Sequence, residues 1–329
     1  MEFTSEIKKA TSSIYDKVSK KIPEIEWATH APYIYKINIL KKEKNAVILA
    51  HNYQTPEIYH GISDFSADSL ALAVEAAKTK ADIIVMCGVH FMAETAKLMS
   101  PEKKVLLPDM KAGCSLSSSI TGDDVRNLKK QYPGVPVVSY VNTSADVKAE
   151  PDVCCTSANA VKIVESLGVK KVIFLPDDFL AKYVASQTDI EIISWKGTCE
   201  VHEQFNDQEI NDIRKANPGI KIIAHPECPP DVIQASDFAG STSGMIKYVR
   251  DNQPEKVMMV TECSMSDNVQ IDNPNVEFIR PCNLCPHMKR ITLPKILDCL
   301  ENETNELIMD NETIEKARKS VERMAEIGR

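Results

Sequence analysis

The chain of 329 residues shows one pattern three times: short apolar segments alternate with segments whose apolar residues have helical spacing. An apolar run without polar alternation is typical of a strand buried on both faces, and intervening helices are typical of a parallel sheet covered on both sides. The predicted strands are AVILAHN (46–52), DIIVMCG (82–88), KVLLPD (104–109), VPVVSYVN (135–142), KVIFLPDD (171–178), IEIISWKG (190–197), KIIAHPEC (221–228), KVMMVTEC (256–263) and VEFIRPC (276–282). The pattern predicts three repeated three-layer α/β/α domains with parallel sheets.

A cysteine follows the last predicted strand of each third. These residues are Cys114, Cys199 and Cys285, and they are separated by 85 and 86 residues. Such a regular spacing predicts an internal repeat, and thirds packed around a pseudo-threefold axis would bring the three thiols together. Three thiolates suit an iron–sulfur cluster and leave one iron without a protein ligand, which can then act as a Lewis acid. The alternative is three buried structural cysteines.

Composition narrows the classes of function. A formal charge of −8 without a dense basic stripe argues against a nucleic-acid or membrane partner. No apolar run approaches the roughly 18 residues that a membrane span needs, and the N-terminus mixes charged with apolar residues, unlike a signal peptide. Ten cysteines in a chain of this length and type predict free or metal-bound thiols in a reducing compartment. We therefore expect a cytoplasmic protein.

Polar side chains stand at the ends of the first predicted strands of the three thirds. They are His51, Asn52 and Tyr53, then Tyr140 and Asn142, then His225 and Glu227. Ligands of open α/β sheets bind beyond the carboxyl ends of the strands. The sequence therefore predicts that these residues belong to one site.

Several motifs carry a resemblance to a known family. They are HNYQ (51–54), ADSLALA (67–73), CGVHFMAETAKLMSPEKKVLLPDMKAGCSL (87–116), YVNTSADVKAEPDVCCTSANA (140–160), CEVHEQF (199–205), AHPEC (224–228), GSTSGM (240–245) and CPHMKRITL (285–293). In this order, between about residues 35 and 300, they resemble the quinolinate synthase family, the A protein of the pathway to NAD. The resemblance implies a triplicated α/β fold with a central [4Fe–4S] cluster bound by Cys114, Cys199 and Cys285.

The resemblance also implies a reaction and its participants. Members of this family are transferases that condense iminoaspartate with dihydroxyacetone phosphate to form quinolinate, phosphate and water during NAD biosynthesis. The open iron would act as a Lewis acid in dehydration. Iminoaspartate is unstable in water, so an oxidase or dehydrogenase that supplies it is an expected partner. Together with the repeat, the resemblance predicts an N-terminal helical segment (1–34) and repeat domains at 35–117, 118–201 and 202–300. The acidic C-terminal stretch (301–329) is expected to be a solvated helical tail.

Site roles follow from matching family positions. Tyr53 and Glu227 are expected to act in acid/base catalysis, and His51 and Tyr140 are further catalytic candidates. We expect a raised pKa for Glu227 in its cavity. The residues expected to bind substrate are His51, Ser69, Tyr140, Asn142, Ser157, His202, His225, Glu227, Ser241 and Thr242. A structural role at a strand end is the alternative for Tyr53, Glu227 and the histidines, and helix capping is the alternative for Ser69 and Ser157.

Other cysteines permit further hypotheses. Cys282 and Cys285 form a CxxC pair, whose reversible disulfide would disable a cluster at Cys285. Cys154 and Cys155 are adjacent on a strand and so point to opposite faces. Cys87, Cys228, Cys263 and Cys299 are interpreted as packing residues. An iron–sulfur electron carrier and a zinc-stabilised binding module are the competing functions, but compact four-cysteine runs and paired zinc ligands are missing from the sequence.

Overall fold

The computed structural model describes residues 1–280 and 282–328. Pro281, in the predicted strand 276–282, and Arg329, at the end of the predicted tail, lie outside the described residues. The chain forms two compact units. The first unit comprises Met1–Ala112, Cys263–Pro274 and Leu284–Leu307, and the second comprises Gly113–Glu262, Asn275–Asn283 and Ile308–Arg329. No helix among the described residues has both the length and the apolar composition needed to cross a membrane.

Twelve strands in the described residues build three four-stranded sheets. The strands are β1 (Ala46–His51), β2 (Phe65–Ala67), β3 (Ile83–Cys87), β4 (Lys104–Leu106), β5 (Val137–Tyr140), β6 (Val153–Cys155), β7 (Lys171–Leu175), β8 (Glu191–Ser194), β9 (Lys221–Ala224), β10 (Phe238–Ala239), β11 (Lys256–Val260) and β12 (Glu277–Ile279). All pairings within these sheets are parallel, in the orders β2-β1-β3-β4, β6-β5-β7-β8 and β10-β9-β11-β12. The identical order confirms the predicted three-fold α/β repeat, whereas the pseudo-threefold axis stays a prediction.

Helices connect the strands and flank the three sheets. They are α1 (Ser5–Ala10), α2 (Ser12–Val18), α3 (Glu24–Glu43), α4 (Pro56–Tyr59), α5 (Ser69–Lys78), α6 (His90–Met99), α7 (Ser115–Ser118), α8 (Gly122–Gln131), α9 (Ala145–Lys148), α10 (Ala160–Ser166), α11 (Asp178–Ala185), α12 (Asp207–Ala216), α13 (Pro230–Ala235), α14 (Thr242–Asn252), α15 (Cys263–Asp272), α16 (Leu293–Asn302) and α17 (Asn311–Ile327). Short 3₁₀ turns lie at His202–Gln204 and Met288–Arg290. Because α3 is continuous, the predicted boundary at residues 34/35 falls inside a helix; the predicted domain limits otherwise stay predictions.

The strand register defines equivalent positions in the three repeats. Ala50, Ser139 and Ala224 each pair with both neighbouring strands. Counting from them, the next residues of the central strands are His51, Tyr140 and His225, and two positions further on are Tyr53, Asn142 and Glu227. The same register aligns Ser69, Ser157 and Thr242 after the edge strands β2, β6 and β10. Most of the predicted site residues therefore occupy three repeated positions.

An aspartate ties each edge strand to its central strand. Asp64, Asp152 and Asp237 immediately precede β2, β6 and β10. Their N–H groups donate to the carbonyls of Ile48, Val137 and Ile222 at 2.9, 3.0 and 2.7 Å. Their carboxylates accept from the N–H groups of the same three residues, each at 2.8 Å. This double hydrogen bond fixes the register between the first residues of each edge strand and the central strand. The register in turn determines which residues lie at the carboxyl ends of the two strands.

The C-terminal segment differs from our expectation of a solvated tail. It is helical, as predicted, but α17 buries Ile314, Ala317, Val321 and Met324. These residues recur every three or four positions and form an apolar stripe, which packs against α9 and β6 in the second unit. The charged residues of the segment occupy the remaining faces of the helix.

Asp152→Ala should lower the free energy of unfolding by about 1 kcal/mol, because the Val137 N–H loses its carboxylate acceptor. Asp152→Asn should lose less, since an amide oxygen still accepts. Urea unfolding followed by circular dichroism measures the change. Asp189→Ala, at an exposed residue before β8, is the control; an equal loss there would contradict the assignment.

Candidate active site and metal-binding group

Glu227 is the centre of a buried polar cluster in the second unit. It follows β9 and is 4% exposed. Its Oε1 accepts a hydrogen bond from the Tyr140 hydroxyl at 2.5 Å and a longer one from Asn142 Nδ2 at 3.5 Å. The residues after β5 and β9 therefore meet, as the strand-end rule predicts for neighbouring sheets of this unit.

Two imidazoles complete the surroundings of Glu227. His202 Nδ1 lies 2.9 Å from Glu227 Oε2, and His225 Nδ1 lies 3.9 Å from the same oxygen. The rings of the two histidines stack with centroids 4.9 Å apart. His225 Nε2 contacts Ser157 Oγ at 3.1 Å, so the predicted substrate residues Tyr140, Asn142, Ser157, His202, His225 and Glu227 form one continuous cluster.

The charge state of Glu227 differs from our expectation. Burial disfavours its carboxylate, but the electrostatic interactions with His225 and His202 and the hydrogen bonds from His202 and Tyr140 favour it more strongly. The net effect holds the pKa of Glu227 well below its ordinary value, so the expectation of a raised pKa is wrong in direction. The ionised form of Glu227 is therefore favoured in this cluster.

Asp177 is a buried acid that the sequence analysis missed. It precedes α11 and caps that helix, with Oδ1 accepting from Leu180 N at 2.8 Å. Burial, and then the charge of Glu227, raise the pKa of Asp177 well above its ordinary value. Two acids of one unit thus have opposite pKa shifts. At Asp177 burial outweighs the hydrogen bonds from backbone N–H groups, whereas at Glu227 the imidazoles and the side-chain hydrogen bonds outweigh burial.

Cys199, His202 and Glu227 could together hold a metal ion. One ligand atom from each lies within 4.8 Å of the others, and His202 Nδ1 is 3.0 Å from Cys199 Sγ. His202 Nε2 contacts the hydroxyl of Thr261 at 3.0 Å, which orients the ring. His202 is among the residues predicted to bind substrate, whereas Thr261 is not, although it ends the KVMMVT run just as His51 ends AVILAH.

The segments of Cys114 and Cys199 are joined within the second unit. Ser115 Oγ donates to the Thr198 carbonyl at 3.0 Å and accepts from Glu200 N at 3.1 Å. Burial, followed by the charges of Glu227 and Cys114, raises the pKa of Cys199 well above its ordinary value. A bound cation removes that penalty, because metals bind the thiolate. The donor set of this unit therefore fits a thiolate-bound metal group.

The remaining predicted site residues have clear local settings. Ser241 caps α14 by accepting from Gly244 N, and Thr242 is the first residue of that helix.

In the first unit, the His51 and Tyr53 rings meet edge to face at 4.6 Å. Ser69 begins α5, but Asp68 caps this helix, so the capping alternative for Ser69 is wrong. Ser157 likewise lies before Asn159, the N-cap residue of α10. Cys285, also in the first unit, precedes the 3₁₀ turn at Met288–Arg290.

The other cysteines mostly agree with their interpretation as packing residues. Cys87, Cys228, Cys263 and Cys299 are buried. Cys154 and Cys155 are consecutive residues of β6 and are also buried. Cys282 is exposed, and the proposed switch between it and Cys285 stays a hypothesis.

Three repeated parallel sheets, with Cys, His and Glu side chains of the second unit gathered beyond strand ends where they could hold a metal ion, are typical of an α/β enzyme. The family model "Quinolinate synthetase A protein" matches residues 35–326. "Quinolinate synthase" of Sinorhizobium fredii (strain NBRC 101917 / NGR234) is 60% identical over 99% of this chain and 91% of its own length. The protein of the same name from Caulobacter vibrioides (strain NA1000 / CB15N) is 58% identical over 99% of this chain and 90% of its own length. The chain belongs to the quinolinate synthetase A protein family, which confirms the resemblance.

The metal-free protein should bind Co²⁺ through Cys199 and show thiolate-to-cobalt charge-transfer absorption in the near ultraviolet. Cys199→Ser should abolish that absorption, because the sulfur ligand is lost. Cys228→Ser is the matched control, since this buried thiol is adjacent to Glu227 but directed at the Val260 carbonyl. Absorption that survives Cys199→Ser and disappears in Cys228→Ser would contradict the ligand assignment.

Proposed function

We propose that the protein is a quinolinate synthase that condenses iminoaspartate with dihydroxyacetone phosphate, forming quinolinate, phosphate and two molecules of water. The family membership supports this activity. The observation that carries the chemistry is the convergence of Tyr140, His202 and His225 on the buried carboxylate of Glu227. A condensation that ends in an aromatic ring needs repeated proton removal and delivery, and this cluster provides both acceptors and donors.

Glu227 and Tyr140 are assigned to proton transfer. Its surroundings favour the ionised carboxylate, which is the form that acts as a general base. Tyr140 donates to the same carboxylate at 2.5 Å, and His202 lies 2.9 Å from its second oxygen. A proton taken up by Glu227 therefore has two neighbours through which it can leave. Tyr53 and His51 are proposed as further acid/base groups from the family positions that they match.

Both substrates are anions, and the proposed binding residues suit anions. Ser69, Tyr140, Asn142 and Ser157 are assigned to the two carboxylates of iminoaspartate. His51, His225, Ser241 and Thr242 are assigned to substrate oxygens and phosphate. Ser241 and Thr242 begin α14, a helix of 11 residues, where backbone N–H groups and the helix dipole favour negative charge.

A [4Fe–4S] cluster bound by Cys114, Cys199 and Cys285 is the proposed cofactor. When bound, a cluster with three thiolate ligands supplies an iron that acts as a Lewis acid in dehydration. The joined Cys114 and Cys199 segments and the raised pKa of Cys199 support a metal there. In this assignment His202 donates towards the Cys199 sulfur and stays beside Glu227, rather than acting as a ligand.

The proposed cellular setting follows from the substrates. We assign the protein to the cytoplasm and to NAD biosynthesis, with an oxidase or dehydrogenase that supplies iminoaspartate as its functional partner. Iminoaspartate hydrolyses in water, so the two activities have to operate together. Direct contact between the two enzymes is not required by this proposal.

Anaerobic reconstitution with iron and sulfide should give four irons per chain and quinolinate from freshly generated iminoaspartate and dihydroxyacetone phosphate. Cys114→Ser, Cys199→Ser and Cys285→Ser should each lose activity, because each removes one thiolate, whereas Cys87→Ser, at a buried residue of β3, should retain it. A cluster without product would favour an electron carrier, and a protein that takes up zinc but no cluster would favour the binding module.

Glu227→Gln should lower kcat by about 10²- to 10⁴-fold, because the amide keeps the shape but cannot accept a proton. Its iron content should equal that of the unsubstituted protein. The exposed Glu209→Gln on α12 is the control and should keep full activity. If Glu227→Gln retained kcat and changed only KM, Glu227 would bind substrate without transferring protons.

A further inference from the structure

The segment Asn52–Gln54 after β1 has every backbone polar group hydrogen-bonded within the first unit. Asn52 N donates to the Ala67 carbonyl at 3.1 Å, and Gln54 N donates to the His51 carbonyl at 3.0 Å. Tyr53 N donates to His51 Nδ1 at 3.2 Å. Because that nitrogen accepts, the neutral His51 ring carries its hydrogen on Nε2. The N–H groups of the segment therefore all donate to residues of the same repeat.

The three carbonyls of the same segment are paired with distant side chains. Asn268 Nδ2, on α15, donates to Asn52 O at 3.2 Å and to Gln54 O at 2.7 Å. Lys289 Nζ donates to Tyr53 O at 2.8 Å. A charged donor makes this last bond stronger than a neutral one. The orientation of Tyr53 thus depends on side chains more than 200 positions away in sequence.

Lys289 also belongs to the segment that carries Cys285. Its N–H donates to the Cys285 carbonyl at 3.1 Å, which closes the turn that begins at the cysteine. Its ammonium is held by Ser264 Oγ at 2.7 Å, and Gln54 Nε2 reaches Met288 Sδ at 3.5 Å. A single residue therefore connects the backbone of Tyr53 with the backbone of a proposed cluster ligand.

The equivalent segment in the second repeat is held differently. There the Thr143 carbonyl accepts from Lys148, which lies on the adjacent helix α9 of the same repeat. Thr143 Oγ1 donates to the Tyr140 carbonyl at 3.2 Å, again within the repeat. Thr143 is the equivalent of Gln54, whose carbonyl is held by Asn268 from α15. The first repeat thus differs from the second in that its strand end is held by side chains distant in sequence, Asn268 and Lys289.

We propose that Lys289 is a positioning residue that couples the Cys285 segment to Tyr53. Its ammonium fixes the Tyr53 carbonyl, and binding of metal by Cys285 orders the turn from which Lys289 projects. Loading of the cofactor would then complete the alignment of the Tyr53 hydroxyl. The roles of Tyr53 and of the cluster in this inference rest on the proposed function. The contacts of Lys289 with Tyr53, Ser264 and Cys285 do not depend on it.

Hydrogen–deuterium exchange of the Tyr53 and Gln54 amides tests the proposal without turnover. In the cluster-loaded protein, Lys289→Met should speed their exchange by about tenfold or more, the effect of losing one charge-assisted hydrogen bond. Lys289→Arg, which still donates, should restore slow exchange. Loading the cluster should slow exchange in the unsubstituted protein but not in Lys289→Met. Lys36→Met, which removes an exposed ion pair with Glu301 in the same unit, is the control and should change neither result.

Kinetics provide the second readout. Lys289→Met should lower kcat about tenfold, with KM within about threefold and iron content unchanged, because a misaligned group slows the reaction more than it weakens binding. Unchanged exchange in Lys289→Met would overturn the positioning role, and equal exchange in the loaded and cluster-free unsubstituted protein would overturn the coupling. Failure of the loaded protein to form quinolinate would instead refute the proposed function and leave the exchange comparison valid.

Discussion

The parallel register of each central strand with its two neighbours is the constraint on which the site depends. Parallel strands all present their carboxyl ends at one edge of the sheet, so a fixed register brings the same positions to that edge in every repeat. The paired backbone and carboxylate bonds of Asp64, Asp152 and Asp237 start each edge strand opposite the same point of its central strand. A slip of one residue would turn the strand-end side chains to the opposite face.

Equivalent positions in this fold carry different side chains. The residue that follows the paired position is His51, Tyr140 or His225, and two positions later the chain has Tyr53, Asn142 or Glu227. Identical residues would give three equal subsites, whereas the proposed substrates are unsymmetrical and need different groups at different points. Repetition thus supplies three similar edges, and substitution makes each edge chemically distinct. The edge-strand position changes least, with Ser69, Ser157 and Thr242 all offering a hydroxyl group.

The sequence was sufficient for features that depend on local composition. Continuous apolar runs predicted the longer strands such as β3 and β11, and the cysteine period predicted the repeat. The edge strands β2 and β10 span only three and two residues, too few for any pattern to stand out. The buried face of α17 was readable in the spacing of Ile314, Ala317, Val321 and Met324, but the many charges around it suggested a solvated helix.

What the sequence could not supply is the set of contacts between residues far apart in the chain. The pKa of Glu227 is lowered by imidazoles at 2.9 and 3.9 Å and by a hydroxyl at 2.5 Å. These interactions outweigh the effect of burial, which alone would raise the pKa as the sequence suggested. Asn268 and Lys289 belong to no recognisable motif with HNYQ, since 214 and 236 positions separate them from the carbonyls that they hold. A motif therefore identifies groups that can do chemistry, whereas the residues that orient those groups become visible only when backbone hydrogen bonds are traced to their donors.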